Sequence, residues 1–321
     1  MGLASDLLYL LRHRTRIFIY SGAHFPNTYR NRIYRIPYYD LGPCGKFEHL
    51  GVTTPDNIKL VFYRFSHRVP SESKGTVIIF HGNGSISGNM NDVAAGFFDM
   101  GFDAIQAEYR GYGRSTGFPS AKGLRIDAQT VLDAVCDDPL TSQKPIIIFG
   151  HSLGGAVAID LACRNEDNWI SALILDNTFT SLPDVVKDMP IIGFLGYTGY
   201  LWPERWPSAN RLNKLSPKMP ILMLSGSDDR VVPPSQMKTL YEIAVGRGRD
   251  QVHQASMVEE DRGEVRFELL EGHGHCNNIE HPRHWEIIRE FLRSSLKLNF
   301  DAPGEGTATF ALDASRLSFE E

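Results

Sequence analysis

Cysteine is scarce: four in 321 residues, at 44, 136, 163 and 276, none in a C-x-x-C pair. So sparse a set builds neither a disulfide framework nor a familiar zinc ribbon, and reads as reduced thiols in a cytosolic setting. A surplus of basic charge is missing too, with 33 Lys and Arg against 38 Asp and Glu and a net charge of -5. Without a basic stripe interleaved with aromatics, nothing draws the chain to nucleic acid, and no such partner is expected. Long apolar runs are also absent. The apolar stretches at 3–11 and 17–20 are split by Arg12, His13, Arg14 and Arg16, whereas a membrane span needs about 20 apolar residues. No small-residue cleavage site follows them, so secretion is not expected. The expected location is cytoplasmic. The arm at 1–45 either packs on the domain or lies in a membrane interface as a peripheral contact. No internal repeat is present.

What the chain does have is apolar substance, 42% of its residues, enough for a sizeable core. Stretches 46–53 and 59–66 flank Pro55-Asp56-Asn57 and predict an antiparallel hairpin. Continuous apolar runs follow at 76–80, 104–109, 146–149, 173–175, 221–224 and 267–270. Runs of this kind mark strands buried on both faces, hence a parallel sheet with helical crossovers. Helices are predicted at 89–100, 120–136, 153–164, 235–245 and 282–296. The expected fold is α/β: a mostly parallel central sheet with an N-terminal antiparallel edge hairpin, helices on both faces and a small cap insertion. The main domain is expected to span 46–298. Its cap at 178–219 carries Phe179, Trp202 and Trp206, which either line an apolar acyl pocket or anchor the cap to the body. The charged segment 246–266 is predicted as a mobile surface loop, and 299–321 as a flexible tail.

The chemistry concentrates at Gly150-His151-Ser152-Leu153-Gly154-Gly155, an apolar run ending in a G-x-S-x-G turn before a helix. Such a nucleophile elbow holds a serine hydroxyl clear of the sheet, while the following helix N-terminus can stabilise an oxyanion. A serine is a weak nucleophile until an imidazole takes its proton, and the imidazole needs a carboxylate to fix its tautomer. Partners are expected just beyond strand carboxyl ends. Asp229 is the favoured acid after 221–224, against Asp228 in the same turn and Asp176 after 173–175. His275 is the favoured base after 267–270, against His273. The order serine, acid, histidine is that of α/β hydrolases. For the oxyanion hole the expected donors are the amides of Leu153 and Asn83. The histidines at 273, 275, 281 and 284, with Cys276, fit no familiar metal-ligand spacing, and no metal is expected.

These residues, together with His81-Gly82-Asn83-Gly84, Tyr109-Arg110-Gly111-Tyr112-Gly113-Arg114-Ser115, Asn177-Thr178-Phe179-Thr180-Ser181 and Val232-Pro233-Pro234, resemble the α/β-hydrolase-domain serine hydrolases, particularly the fungal bud-emergence (Bem-type) subgroup. Glu108 stands where such proteins commonly carry aspartate. The resemblance implies a triad of Ser152, Asp229 and His275 with no cofactor. It also implies a serine hydrolase of ester or thioester bonds, its partner a small acyl ester, lipid or acylated protein. Amide cleavage is the alternative chemistry, and a non-catalytic scaffold the alternative class.

Overall fold

A computed structural model describes residues 41–300 except 42, 142, 166, 190–192, 198–201, 203 and 249–261, together with 19, 20 and 23. The expected arm, the tail and the middle of the 246–266 loop therefore lie largely outside the described residues.

Gly45–Thr53 (β1) and Lys59–His67 (β2) pair antiparallel, from Gly45 opposite His67 to Thr53 opposite Lys59. Asn57 takes φ 63° in the turn between them, a left-handed conformation that asparagine tolerates well. Six strands follow: Thr76–Phe80 (β3), Asp103–Ala107 (β4), Ile146–His151 (β5), Ile170–Asp176 (β6), Ile221–Gly226 (β7) and Val265–Leu270 (β8). They join the hairpin in one eight-stranded sheet of order β1-β2-β4-β3-β5-β6-β7-β8. β2 runs antiparallel to β4, and every later pairing is parallel. The chain crosses from β3 to β4 on one side and then returns past β3 to β5. This reversal opens a crevice beyond the carboxyl ends of β3 and β5, where open α/β sheets bind ligands.

The expected helices form at Asn91–Asp99 (α1), Ala121–Asp137 (α2), Leu153–Cys163 (α3), Pro234–Gly246 (α7) and His284–Leu296 (α8). The three between α3 and α7 belong to the cap. Ser120 starts α2 by accepting the Gly123 amide at 3.0 Å, as an N-cap serine should. Along the strands alternate residues feed two cores. Ile78, Phe80, Ile146 and Ile148 pack with α2, α3 and α7, while Val77, Ile79, Ile147 and Phe149 pack with α1 and α8. Burial on both faces explains why the runs are continuously apolar.

The cap at 178–219 carries three short helices, Leu182–Lys187 (α4), Gly193–Gly196 (α5) and Ser208–Leu212 (α6). Phe179 and Trp206 do not wall an open pocket: both are buried in the core beneath the cap. The Arg125 guanidinium lies 5.5 Å over the Trp206 ring, and the indole N–H donates to the Tyr20 hydroxyl at 3.1 Å. That hydroxyl donates to Glu204 at 2.7 Å, and the same carboxylate accepts the Ala121 amide at the start of α2. These two aromatics anchor the cap; Trp202 is half-buried. The loop expected at 246–266 also differs at its base. Arg247 is fully buried and donates to the carbonyls of Ser216, Pro217, Ala244 and Met219, because a buried guanidinium must spend its donors on whatever acceptors surround it.

Candidate active site

β5 delivers its last residues into a turn so tight that side chains are excluded two positions to either side of the serine. A Cβ on Gly150 would fall 2.4 Å from the Gly154 carbonyl oxygen, and one on Gly154 only 2.0 Å from that of Phe80. Ser152 itself is held at φ 54°, ψ -117°, a sparsely populated conformation that persists only where surrounding contacts impose it. Its amide donates to the Asp176 carbonyl at 2.9 Å. The hydroxyl is thereby presented at the crevice rim as α3 begins.

Two loops bring partners to it. His275, past β8, places Nε2 at 3.0 Å from Ser152 Oγ and Nδ1 at 2.7 Å from Asp229 Oδ2. A carboxylate only accepts, so Nδ1 carries the proton and Nε2 is left as acceptor for the serine hydroxyl. The other oxygen of Asp229 accepts the amides of Val231 and Val232, both at 2.8 Å. With its side chain 0% exposed and that of His275 13% exposed, the acid is sealed and satisfied while the base still faces the crevice.

The competing residues are engaged elsewhere. His273 turns its Nδ1 to the Glu271 carbonyl at 2.8 Å and packs edge-on against His281. Asp228 is exposed and accepts the Ser227 hydroxyl at 3.1 Å. Asp176 pairs with His151, Nδ1 to Oδ2 2.9 Å, and accepts from Asn278 Nδ2 at 2.6 Å. This second imidazole–carboxylate pair escaped the sequence reading. Its only sign was a histidine inside the elbow followed by an aspartate ending the next strand. Burial opposes charge on His151, yet the hydrogen bond to Asp176 and the Cys276 thiol beside the ring push it up to about 10. Burial opposes the Asp176 charge as well, and the His151 imidazole outweighs it, holding the carboxyl below its usual range. The His151 and His275 rings stand 4.9 Å apart.

The Asn83 loop lies against the elbow from the β3 side. A Cβ on Gly82 would come within 3.0 Å of the His151 ring and 3.3 Å of Ser152 Cβ, so any side chain there would have to press these neighbours aside by a few tenths of an ångström. The Asn83 side chain accepts from the Tyr112 hydroxyl at 3.0 Å. Glu108, the departure noted in the sequence, is buried and clamps the loop at both ends. It meets His81 Nε2 at 3.1 Å, the Ser87 hydroxyl at 2.6 Å and the Ser87 amide at 3.2 Å. Leu153 is the first residue of α3, so its amide has no partner within the helix. Asn83 and Leu153 thus flank Ser152 from two sides. Phe179 and Trp206 belong to the core beneath the cap. The cap carries an open surface pocket of about 410 Å³ with a mixed lining that includes Ser181, Asp184, Lys187 and Arg205 beside Pro183 and Tyr197. Among the described residues no cluster of His, Cys, Asp and Glu is placed to hold a metal ion, and no helix is long and apolar enough to cross a membrane.

Comparison with known proteins agrees with this architecture. A family model described as serine aminopeptidase, S33, matches residues 71–217. The chain is 37% identical to the protein bem46 of Schizosaccharomyces pombe over 210 residues, 65% of this chain and 69% of that one. It is 28% identical to the lysophosphatidylserine lipase ABHD12 of Danio rerio over 69% of this chain and 59% of that one. An α/β hydrolase from Vibrio vulnificus superposes with a TM-score of 0.67 at 20% identity, covering 91% of this chain and 95% of that one.

Proposed function

Because the chain belongs to the α/β-hydrolase family that includes the bem46 protein, we propose that it is a serine hydrolase cleaving ester or thioester bonds of an acyl or lipid-like substrate. The observation that carries this reading is His275 bridging Ser152 Oγ at 3.0 Å and Asp229 at 2.7 Å. Ser152 Oγ attacks the acyl carbonyl as Nε2 of His275 takes its proton, and Asp229 stabilises the imidazolium. The oxyanion is held by the amides of Asn83 and Leu153, each such donor contributing about 3 kcal/mol to the transition state. The imidazolium then protonates the departing alcohol or thiol, leaving acyl-Ser152. Water, deprotonated by the same imidazole, releases the acid and restores the serine. No step calls for a cofactor.

The lipase named among the relatives supports a lipid or acyl ester partner. The serine aminopeptidase description of the matching family favours amides as a second reading. Amide cleavage demands that the amine be protonated as it leaves, a harder task for the imidazolium of His275 acting as general acid. The test is labelling by a fluorophosphonate probe in wild type and Ser152→Ala, joined to hydrolysis of p-nitrophenyl esters of graded chain length against matched anilides. Labelling only of wild type, with esters cleaved faster than anilides, is expected. Faster anilide cleavage would replace the esterase reading with the amidase one, and a folded protein that never labels would leave a scaffold.

A further inference from the structure

Asp176, Asn177 and Thr178 leave the carboxyl end of β6 into the space between the three catalytic loops. Asn177 is fully buried at φ 45°, and its amide is oriented without ambiguity by its partners. Oδ1 accepts the Gly226 amide at 2.9 Å, at the start of the turn that carries Asp229. Nδ2 donates to the carbonyls of Gly274 at 3.0 Å and His275 at 2.9 Å. The adjoining Thr178 hydroxyl donates to the Ser152 carbonyl at 2.7 Å. Acid loop and base loop touch at this point, for a Cβ on Gly226 would lie 2.4 Å from the His273 carbonyl oxygen. With backbones so close, the offset of one loop against the other is set by whatever bonds span them.

We infer that Asn177 is a positioning residue, which sets the register of the His275 loop against the Asp229 turn so that the imidazole meets both its partners. This rests on the serine-hydrolase reading above. Only a side chain with one acceptor and one two-proton donor can bond an amide on one loop and two carbonyls on the other. Aspartate has the same shape but would set a carboxylate oxygen against those two carbonyl oxygens. Glycine adopts the positive φ freely and removes the side chain without backbone strain. The pair Asn177→Asp and Asn177→Gly therefore separates loss of the bridge from strain.

A misplaced base costs rate more than binding, so each variant should lower kcat about 100-fold while KM stays within about twofold. Made in a His275→Ala background, the same changes should lower the residual rate by less than about twofold, because the group they position is gone. Equal losses in both backgrounds would overturn the inference, as would an unchanged kcat. A second readout needs no turnover: the low-field proton resonance of the His275 Nδ1–H bonded to Asp229, seen in wild type, should vanish or broaden in Asn177→Asp, with melting curves confirming a folded chain. Its persistence unchanged would overturn the inference even if wild type proved inactive. Failure of wild type to label with fluorophosphonate would instead remove the serine-hydrolase reading.

Discussion

Asp229 and Asp176 are both carboxylates at strand ends facing an imidazole, and only their partners tell them apart. Asp229 gives one oxygen to His275 and the other to two backbone amides, whereas Asp176 is consumed by His151 and Asn278. Asp229→Asn should therefore lower kcat about 10,000-fold with no rescue from Asp176. The asparagine amide would donate to Nδ1, moving the imidazole proton to Nε2, where it faces the serine instead of accepting from it. Steady-state hydrolysis by the purified variant checks this. His273→Gln, by contrast, should leave kcat within about twofold, since that ring addresses Glu271 and His281. Ser152 was legible because a glycine-flanked elbow between strand and helix leaves a mark in linear order. The base was legible only as a preference for His275, since Gly272-His273-Gly274-His275 offers two imidazoles two residues apart. Which one turns inward depends on contacts from β6 and β7, elements roughly fifty to a hundred positions away in the chain.

At the level of elements, close approach of backbones governs what can change. α3 crosses β3 so tightly that Gly154→Ala would push a methyl to 2.0 Å from the Phe80 carbonyl oxygen. Helix or strand must shift, and thermal unfolding should show a loss of about 3 kcal/mol. The loop base that sequence composition marked as mobile behaves in the same way. Arg247→Leu would strand the carbonyls of Ser216, Pro217 and Met219 that its guanidinium satisfies, again at a cost of about 3 kcal/mol in denaturant unfolding. Charge in the sequence suggested solvent there; burial pushes the Arg247 guanidinium down to about 10, and the surrounding carbonyl oxygens supply the acceptors that let it stay inside. Strands and long helices were readable because double-sided burial writes continuous apolar runs. The pairing of β2 with β4, the crossing back to β5 and the cap helices were not. Strand order is a tertiary outcome, and helices of four to six residues are too short to show periodicity.

For the whole molecule, two buried histidines set opposite demands on pH. His151 is pushed up to about 10 from an ordinary value of 6.5 by its bond to Asp176 and the neighbouring thiol, against the effect of burial. Its protonated form is favoured by folding, so its contribution is complete below 6.5 and is lost as pH rises from there through about 10. His284, on α8, is pushed down to about 4, first by burial. The unfolded chain takes up that proton near 6.5 and the folded chain does not until about 4. Stability therefore falls as pH drops across that interval. Together the two groups place a maximum in melting temperature near neutrality, descending on both sides. His151→Gln should flatten the alkaline descent between about 6.5 and 10 relative to wild type, and His284→Phe should flatten the acid descent between about 6.5 and 4. Melting curves collected across this range for the three proteins decide the matter. A wild-type profile that His151→Gln leaves parallel on its alkaline arm would show that the pair beneath the elbow is not charged.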